Sequence, residues 1–235
     1  MKECKKRLRR VFMACLVIMF MVLPSQVSAQ DTVRHEVLFE TTMGNIRVAL
    51  YNETPLHRDN FLANVRNKVY DGVLFHRVIS NFMIQAGDTA SRHARPGEAL
   101  GDSPEAFTVP AEIRYPAIFH KRGSLAAARE GDDVNPERSS SSMQFYIVYG
   151  RRFDDAMLDK VQQRLDDRGT GVKLTPEVRE AYRRYGGTPH LDGQYTVFGE
   201  VVEGLDVVRD IQWVPTDKAD RPVDDVRILR ATVVK

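Results

Sequence analysis

Short apolar runs, divided by turn-forming residues and lacking a helix between each pair, recur along this chain, and that spacing excludes most folds. Residues 36–41 and 46–51 read as strands joined by a turn at Met43-Gly44-Asn45, the composition of a β-hairpin. Two more runs, 73–79 and 82–86, are separated only by Ser80-Asn81, and others follow at 123–128, 144–149, 195–201 and 226–234. Helical spacing is confined to a few places. Pro55, with Thr54 ahead of it as cap, opens a helix carrying Phe61, Leu62, Val65 and Val69 that ends at Asp71-Gly72, and a short helix covers 207–212. Strands and helices do not alternate, so a doubly wound parallel sheet is excluded and a mainly β, closed antiparallel barrel with two core helices is predicted.

Three polar stretches interrupt this pattern. Residues 88–110 are rich in Gly, Pro, Ser and charge, and predict a long surface loop. Gly87, Gly97 and Gly101 lack the strand-to-helix spacing of a phosphate loop. Residues 129–142 predict a polar loop, with Ser139 to Ser142 as solvated turn. At 151–189 the period changes: Met157, Val161 and Leu165 recur every four residues, and Val178, Tyr182 and Tyr185 follow Thr175-Pro176, a cap and first-turn pair. Two amphipathic helices are expected there.

The formal charge of +2, from 34 basic and 32 acidic residues, conceals an uneven distribution. Lys2, Lys5, Lys6, Arg7, Arg9 and Arg10 precede an apolar run at 11–23, followed by Pro24 and Val27-Ser28-Ala29. A basic start, an apolar run too short to span a bilayer comfortably and a small-residue site together predict a secretory signal peptide at 1–29. An uncleaved membrane anchor is the alternative. Cleavage after Ala29 removes six of the 34 basic and one of the 32 acidic side chains, leaving 206 residues at a net charge of −3. Cys4 and Cys15 leave with it, so the exported chain forms no disulfide and relies on its core. Periplasm or secretion is the expected destination, with no membrane attachment after cleavage and no nucleic-acid partner.

Conventional catalytic groups are sparse. The six histidines are scattered without an i, i+4 pair, and no metal site or cofactor is expected. The serines before Gln144 lack the frame of a nucleophile elbow, and no triad is recognisable. The informative stretch is Phe75-His76-Arg77-Val78-Ile79-Ser80-Asn81-Phe82-Met83-Ile84-Gln85-Ala86-Gly87-Asp88. Strand alternation puts Phe75 and Arg77 on one face, and Met83 and Gln85 on one face of the next strand. On physics alone, Arg77 reads first as a surface arginine lying over apolar neighbours.

That stretch resembles the signature of the cyclophilin family of peptidyl-prolyl cis-trans isomerases, and further matches follow in order. Gly123-Ser124-Leu125-Ala126-Ala127-Ala128-Arg129, Ser142-Met143-Gln144-Phe145-Tyr146-Ile147 and His190-Leu191-Asp192-Gly193-Gln194-Tyr195-Thr196-Val197-Phe198-Gly199 resemble the family's other groove segments. The resemblance implies an eight-stranded antiparallel barrel with a helix closing each end, spanning 33–235. It implies Arg77 as catalytic arginine with Gln85 as its partner, and Phe82 and Met83 in the proline pocket. Ala128 and Arg129 match the strand along which the substrate runs, and Gln144, Tyr146, His190, Leu191 and Tyr195 match the remaining walls. The implied ligands are proline-containing peptides and unfolded or folding proteins, bound by a monomer. A proline-binding holdase with little turnover is the alternative. His190, Tyr195, Tyr146 and Arg129 stand where many members have Trp, His, Phe and Asn. The segment 151–189 replaces a short connection and is expected beside the groove mouth.

Overall fold

The computed structural model describes residues 33–235, so the predicted signal peptide lies outside the described residues. Among the described residues, ten strands and four α-helices follow one another: β1 (Glu36–Thr41), β2 (Gly44–Leu50), α1 (Pro55–Arg66), β3 (Arg77–Ile79), β4 (Met83–Ala86), β5 (Thr108–Val109), β6 (Ser124–Ala127), β7 (Ser140–Ser141), β8 (Phe145–Val148), α2 (Asp155–Asp167), α3 (Pro176–Arg184), β9 (Val197–Glu203), α4 (Leu205–Ile211) and β10 (Ile228–Val233). Eight strands form one antiparallel sheet in the order β10-β1-β2-β9-β6-β8-β4-β3, and β5 pairs with β7.

The sheet curls almost into a barrel. Its end strands, β3 and β10, share no ladder. The bridge Leu74↔Arg227 and the bonds from Phe75 N–H to Val226 and from Ile228 N–H to Val73 span the seam instead. Full closure was therefore an overstatement. The seam also shortens the expected strand 73–79 to three residues, because the chain leaves β10 and turns to β4 within this stretch. Phe75 consequently enters the core while Arg77 stays exposed, overturning their predicted common face.

Residues alternating along the strands fill the barrel, and α1 and α4 enter the same core through Phe61, Leu62, Val65, Val208 and Ile211. Aromatic rings make its centre: Phe39 stacks on Phe145 at 5.5 Å, and Phe61 lies 5.2 Å from Phe198. Thr54 does not cap α1 with its side chain. Glu112 takes that place from a distant loop, accepting the main-chain N–H groups of Leu56 (3.2 Å) and His57 (3.0 Å). Of the serines predicted as solvated turn, Ser140 and Ser141 form β7, and Ser140 and Ser142 are buried.

Residues 151–189 form the two expected helices around their own apolar cluster, including Leu158, Val161, Leu165, Val178 and Tyr182. Thr175 caps α3 as predicted, accepting the Val178 N–H at 3.3 Å. Met157 is only partly buried and Tyr185 is exposed; Leu158 takes the inward position at the start of α2. The base of this arm is tightly tied. Gly187 bridges both Arg151 and Lys121, and a Cβ on Gly187, at φ +145°, would lie 2.2 Å from the His120 carbonyl oxygen. Only glycine permits that approach.

Candidate active site

Three directly opposed residues on neighbouring antiparallel strands lay down the site. Arg77 of β3 faces Gln85 of β4, and Gln85 faces Tyr146 of β8. Such pairs share a face of the sheet, so the register alone aligns guanidinium, amide and phenol in a row. Met83, two residues before Gln85, shares that face. Leu191 and Tyr195 come from the connection into β9, and Ala128 and Arg129 continue β6. The result is a pocket of about 140 Å³ lined by Arg77, Phe82, Met83, Gln85, Ala128, Arg129, Tyr146, Leu191 and Tyr195.

The pocket has unlike sides. Met83 and Tyr146 are buried at its floor, in one apolar cluster with partly buried Phe82, Leu191 and Tyr195. Across from them, the Arg77 side chain is 45% exposed, with Nε 3.6 Å from Asp220 and an η nitrogen 3.5 Å from Gln85 Oε1. Gln85 donates its amide to Gln144 Oε1 at 3.1 Å, and Gln144 donates to the Gly101 carbonyl at 2.7 Å. Gln144 thus supports the polar side from behind. His190 does not line the pocket; its ring lies 5.4 Å from that of Phe82 and faces the neighbouring hollow.

Arg129 is immobilised. Its guanidinium bonds the Gln194 carbonyl at 2.8 Å, pairs with Asp132 at 2.6 Å and covers the Tyr195 ring at 4.5 Å. Ala128 is tied through both main-chain groups, donating to Gln144 and accepting from Ser141. The arm reaches the same region: Arg168, Gly169 and Thr170, just beyond α2, line the hollow shared with His190, Leu191 and Tyr195. The expected place of the arm beside the groove mouth agrees with this.

The family model described as cyclophilin type peptidyl-prolyl cis-trans isomerase/CLD matches residues 36–233. The chain belongs to the cyclophilin family. Its relatives include a putative peptidyl-prolyl cis-trans isomerase of Staphylococcus haemolyticus, 32% identical over 82% of this cyclophilin and 88% of the relative. Peptidyl-prolyl cis-trans isomerase-like 1 of Aspergillus fumigatus is 32% identical over 85% and 96%. The Arabidopsis thaliana isomerase CYP71 is 34% identical over 88% of this cyclophilin, which spans 26% of that longer protein. A Cryptosporidium parvum cyclophilin shares the fold, with a TM-score of 0.60 at 22% identity over 86% of this chain and 99% of that one. The same parasite protein has been crystallised in the presence of the dipeptide Ala-Pro, with a TM-score of 0.59. The enzyme is thus a cyclophilin-type peptidyl-prolyl cis-trans isomerase.

Sequence reasoning missed four residues of this cyclophilin's site: Asp220, His120, Asp192 and Tyr182. Asp220 lies far along the chain from Arg77, and no local pattern announces it. Asp192 lies within a recognised segment, but its burial and its partners are set only by the tertiary fold.

Proposed function

We propose that the pocket binds the proline ring of an X-Pro segment and that Arg77 stabilises the twisted amide. The supporting observation is the opposition of a half-exposed guanidinium to a buried apolar floor. Planar amides resist rotation because twisting forfeits resonance, leaving a barrier of about 18–20 kcal/mol. No covalent bond breaks, so no nucleophile is needed.

Phe82, Met83, Tyr146 and Leu191 hold the ring while the preceding carbonyl turns. As the C–N bond twists, the lone pair localises on nitrogen and becomes a stronger acceptor. A guanidinium beside it therefore binds the transition state better than either planar state. Gln85, held by Gln144, orients Arg77 and offers its amide to the substrate carbonyl. With Ala128 already paired, the substrate main chain meets the β6 edge at Arg129, and Tyr195 and His190 bound the flanking residues.

The substrates in this reading are unfolded or folding exported proteins, met in the periplasm or outside the cell by a monomer that its own signal peptide at 1–29 directs there. Slow X-Pro isomerisation limits such folding, on a scale of tens of seconds at about 25 °C. A mature chain beginning at Gln30 in the exported fraction supports this location, whereas retention with Met1 intact refutes cleavage. Arg77→Ala is expected to lower kcat/KM in a protease-coupled assay by roughly 100-fold, about 2.7 kcal/mol of transition-state stabilisation, with the fold intact. Near-normal turnover by that variant sinks the catalytic assignment.

A further inference from the structure

A buried tyrosine hydroxyl needs a partner, and the one on Tyr146 has an informative one. Its oxygen lies 3.0 Å from His120 Nε2, with the two rings nearly parallel at 8°. His120 Nδ1 lies 3.0 Å from Asp192 Oδ1, which also accepts the His120 main-chain N–H at 2.9 Å. The other carboxylate oxygen, Oδ2, accepts the hydroxyl of Tyr182 at 2.7 Å. His120 is 1% exposed, and Asp192 and Tyr182 are wholly buried.

With a neutral imidazole, the partners fix where the protons sit. A carboxylate only accepts, so His120 carries its proton on Nδ1 and leaves the Nε2 lone pair to accept from Tyr146. Burial holds both phenols well above their ordinary pKa, keeping them as donors. Each group therefore orients the next, from α3 of the arm to the floor of the pocket.

The second pocket wall is tied to the same carboxylate. Leu191 precedes Asp192 in a short turn of 3-10 helix, Pro189–Leu191, and the Thr188 N–H bonds the His120 carbonyl at 2.9 Å. An arm that only decorated the barrel would need no polar link into the pocket. This one delivers a hydroxyl to the group that aims both Tyr146 and Leu191.

We propose that Tyr182, Asp192 and His120 are positioning residues that set the Tyr146 ring and the Leu191 wall, making the helical arm a working part of the isomerase site. This rests on the reading of the pocket as the proline site. Tyr182→Phe is the cleanest probe, because it removes one oxygen and keeps the ring packed. In the full chain it is expected to raise KM for the tetrapeptide Ala-Ala-Pro-Phe about fivefold, with kcat within twofold. Tyr146→Phe, which cuts the far end of the same chain, has a similar effect. The double variant loses less than the two single effects combined, because the branch to Tyr146 can be cut only once while the Leu191 branch is lost only with Tyr182.

An unchanged KM in Tyr182→Phe, or equal further losses in both backgrounds, overturns the proposal. A fall in thermal stability without the KM change also overturns it, since that is the signature of a purely structural bond. Arg77→Ala distinguishes this failure from failure of the pocket assignment: if turnover survives that variant, the pocket reading falls, whatever Tyr182→Phe does.

Discussion

Two buried histidines are wired alike and sit in different parts of the molecule. His57 donates through Nδ1 to Glu112 at 2.7 Å and accepts the Ser140 hydroxyl at Nε2, 2.9 Å away. His120 has Asp192 at Nδ1 and the Tyr146 hydroxyl at Nε2, both at 3.0 Å. The first set has the order of a serine-hydrolase triad, which sequence reasoning did not find. Ser140 is 1% exposed, however, and no substrate reaches its oxygen. That set joins the start of α1 to β7, while the second ends on the floor of a pocket. Wiring alone therefore does not define a site; the solvent-facing surface of the last residue does.

The largest effect expected on the His57 side comes from Glu112→Ala. It strips an acceptor from Leu56, from the His57 main chain and from the His57 ring at once, and burial of these donors sets the penalty. A loss of roughly 3–5 kcal/mol in urea unfolding is expected, with KM unchanged wherever the variant remains folded. A shifted KM would erase the distinction between the two sets.

A third histidine sharpens the comparison because it lacks such wiring. Both ring nitrogens of His76 are buried without a hydrogen-bond partner among the described residues. Burial pushes its pKa down from 6.5 to about 4, opposed by Asp88 and Asp102 and reinforced by Arg77 and Arg221. The unfolded chain binds the proton more readily, so the stability present above pH 6.5 is lost as pH falls towards 4. The loss reaches about 3 kcal/mol. His76→Asn is expected to flatten that part of the stability profile, and a variant that keeps the full slope assigns it elsewhere.

The smallest effects come from deleting the terminal hydroxyls, and they separate the two sets most directly. Ser140→Ala and Tyr146→Phe each remove one donor to a buried imidazole, at a cost of about 1 kcal/mol in stability. Only Tyr146→Phe is expected to move KM. Equal kinetic behaviour of the pair would remove the functional difference.

What was legible in the sequence follows the range of the interactions concerned. Strands β1, β2 and β8 announce themselves because their apolar residues and turns are local. The two-residue strands β5 and β7 do not, because Thr108 finds Ser141 only after the intervening chain has folded. Thr54 carries a good local capping signal, yet Glu112 supplies the cap from 55 residues beyond His57. The pocket residues could be named because they lie in short ordered segments. Asp220 beside Arg77 and Tyr182 beneath Asp192 could not, since each meets its partner only through the tertiary fold.

One pairing in the sheet bears on when the molecule can form. β1 lies between β2 and β10, and its first residue reaches past β10, Glu36 N–H bonding the Lys235 carbonyl at 3.1 Å. During synthesis, β1 therefore waits with one edge unpaired until β10 emerges. The sheet is complete only once β10 has emerged, so the barrel cannot be finished piece by piece from its first strands.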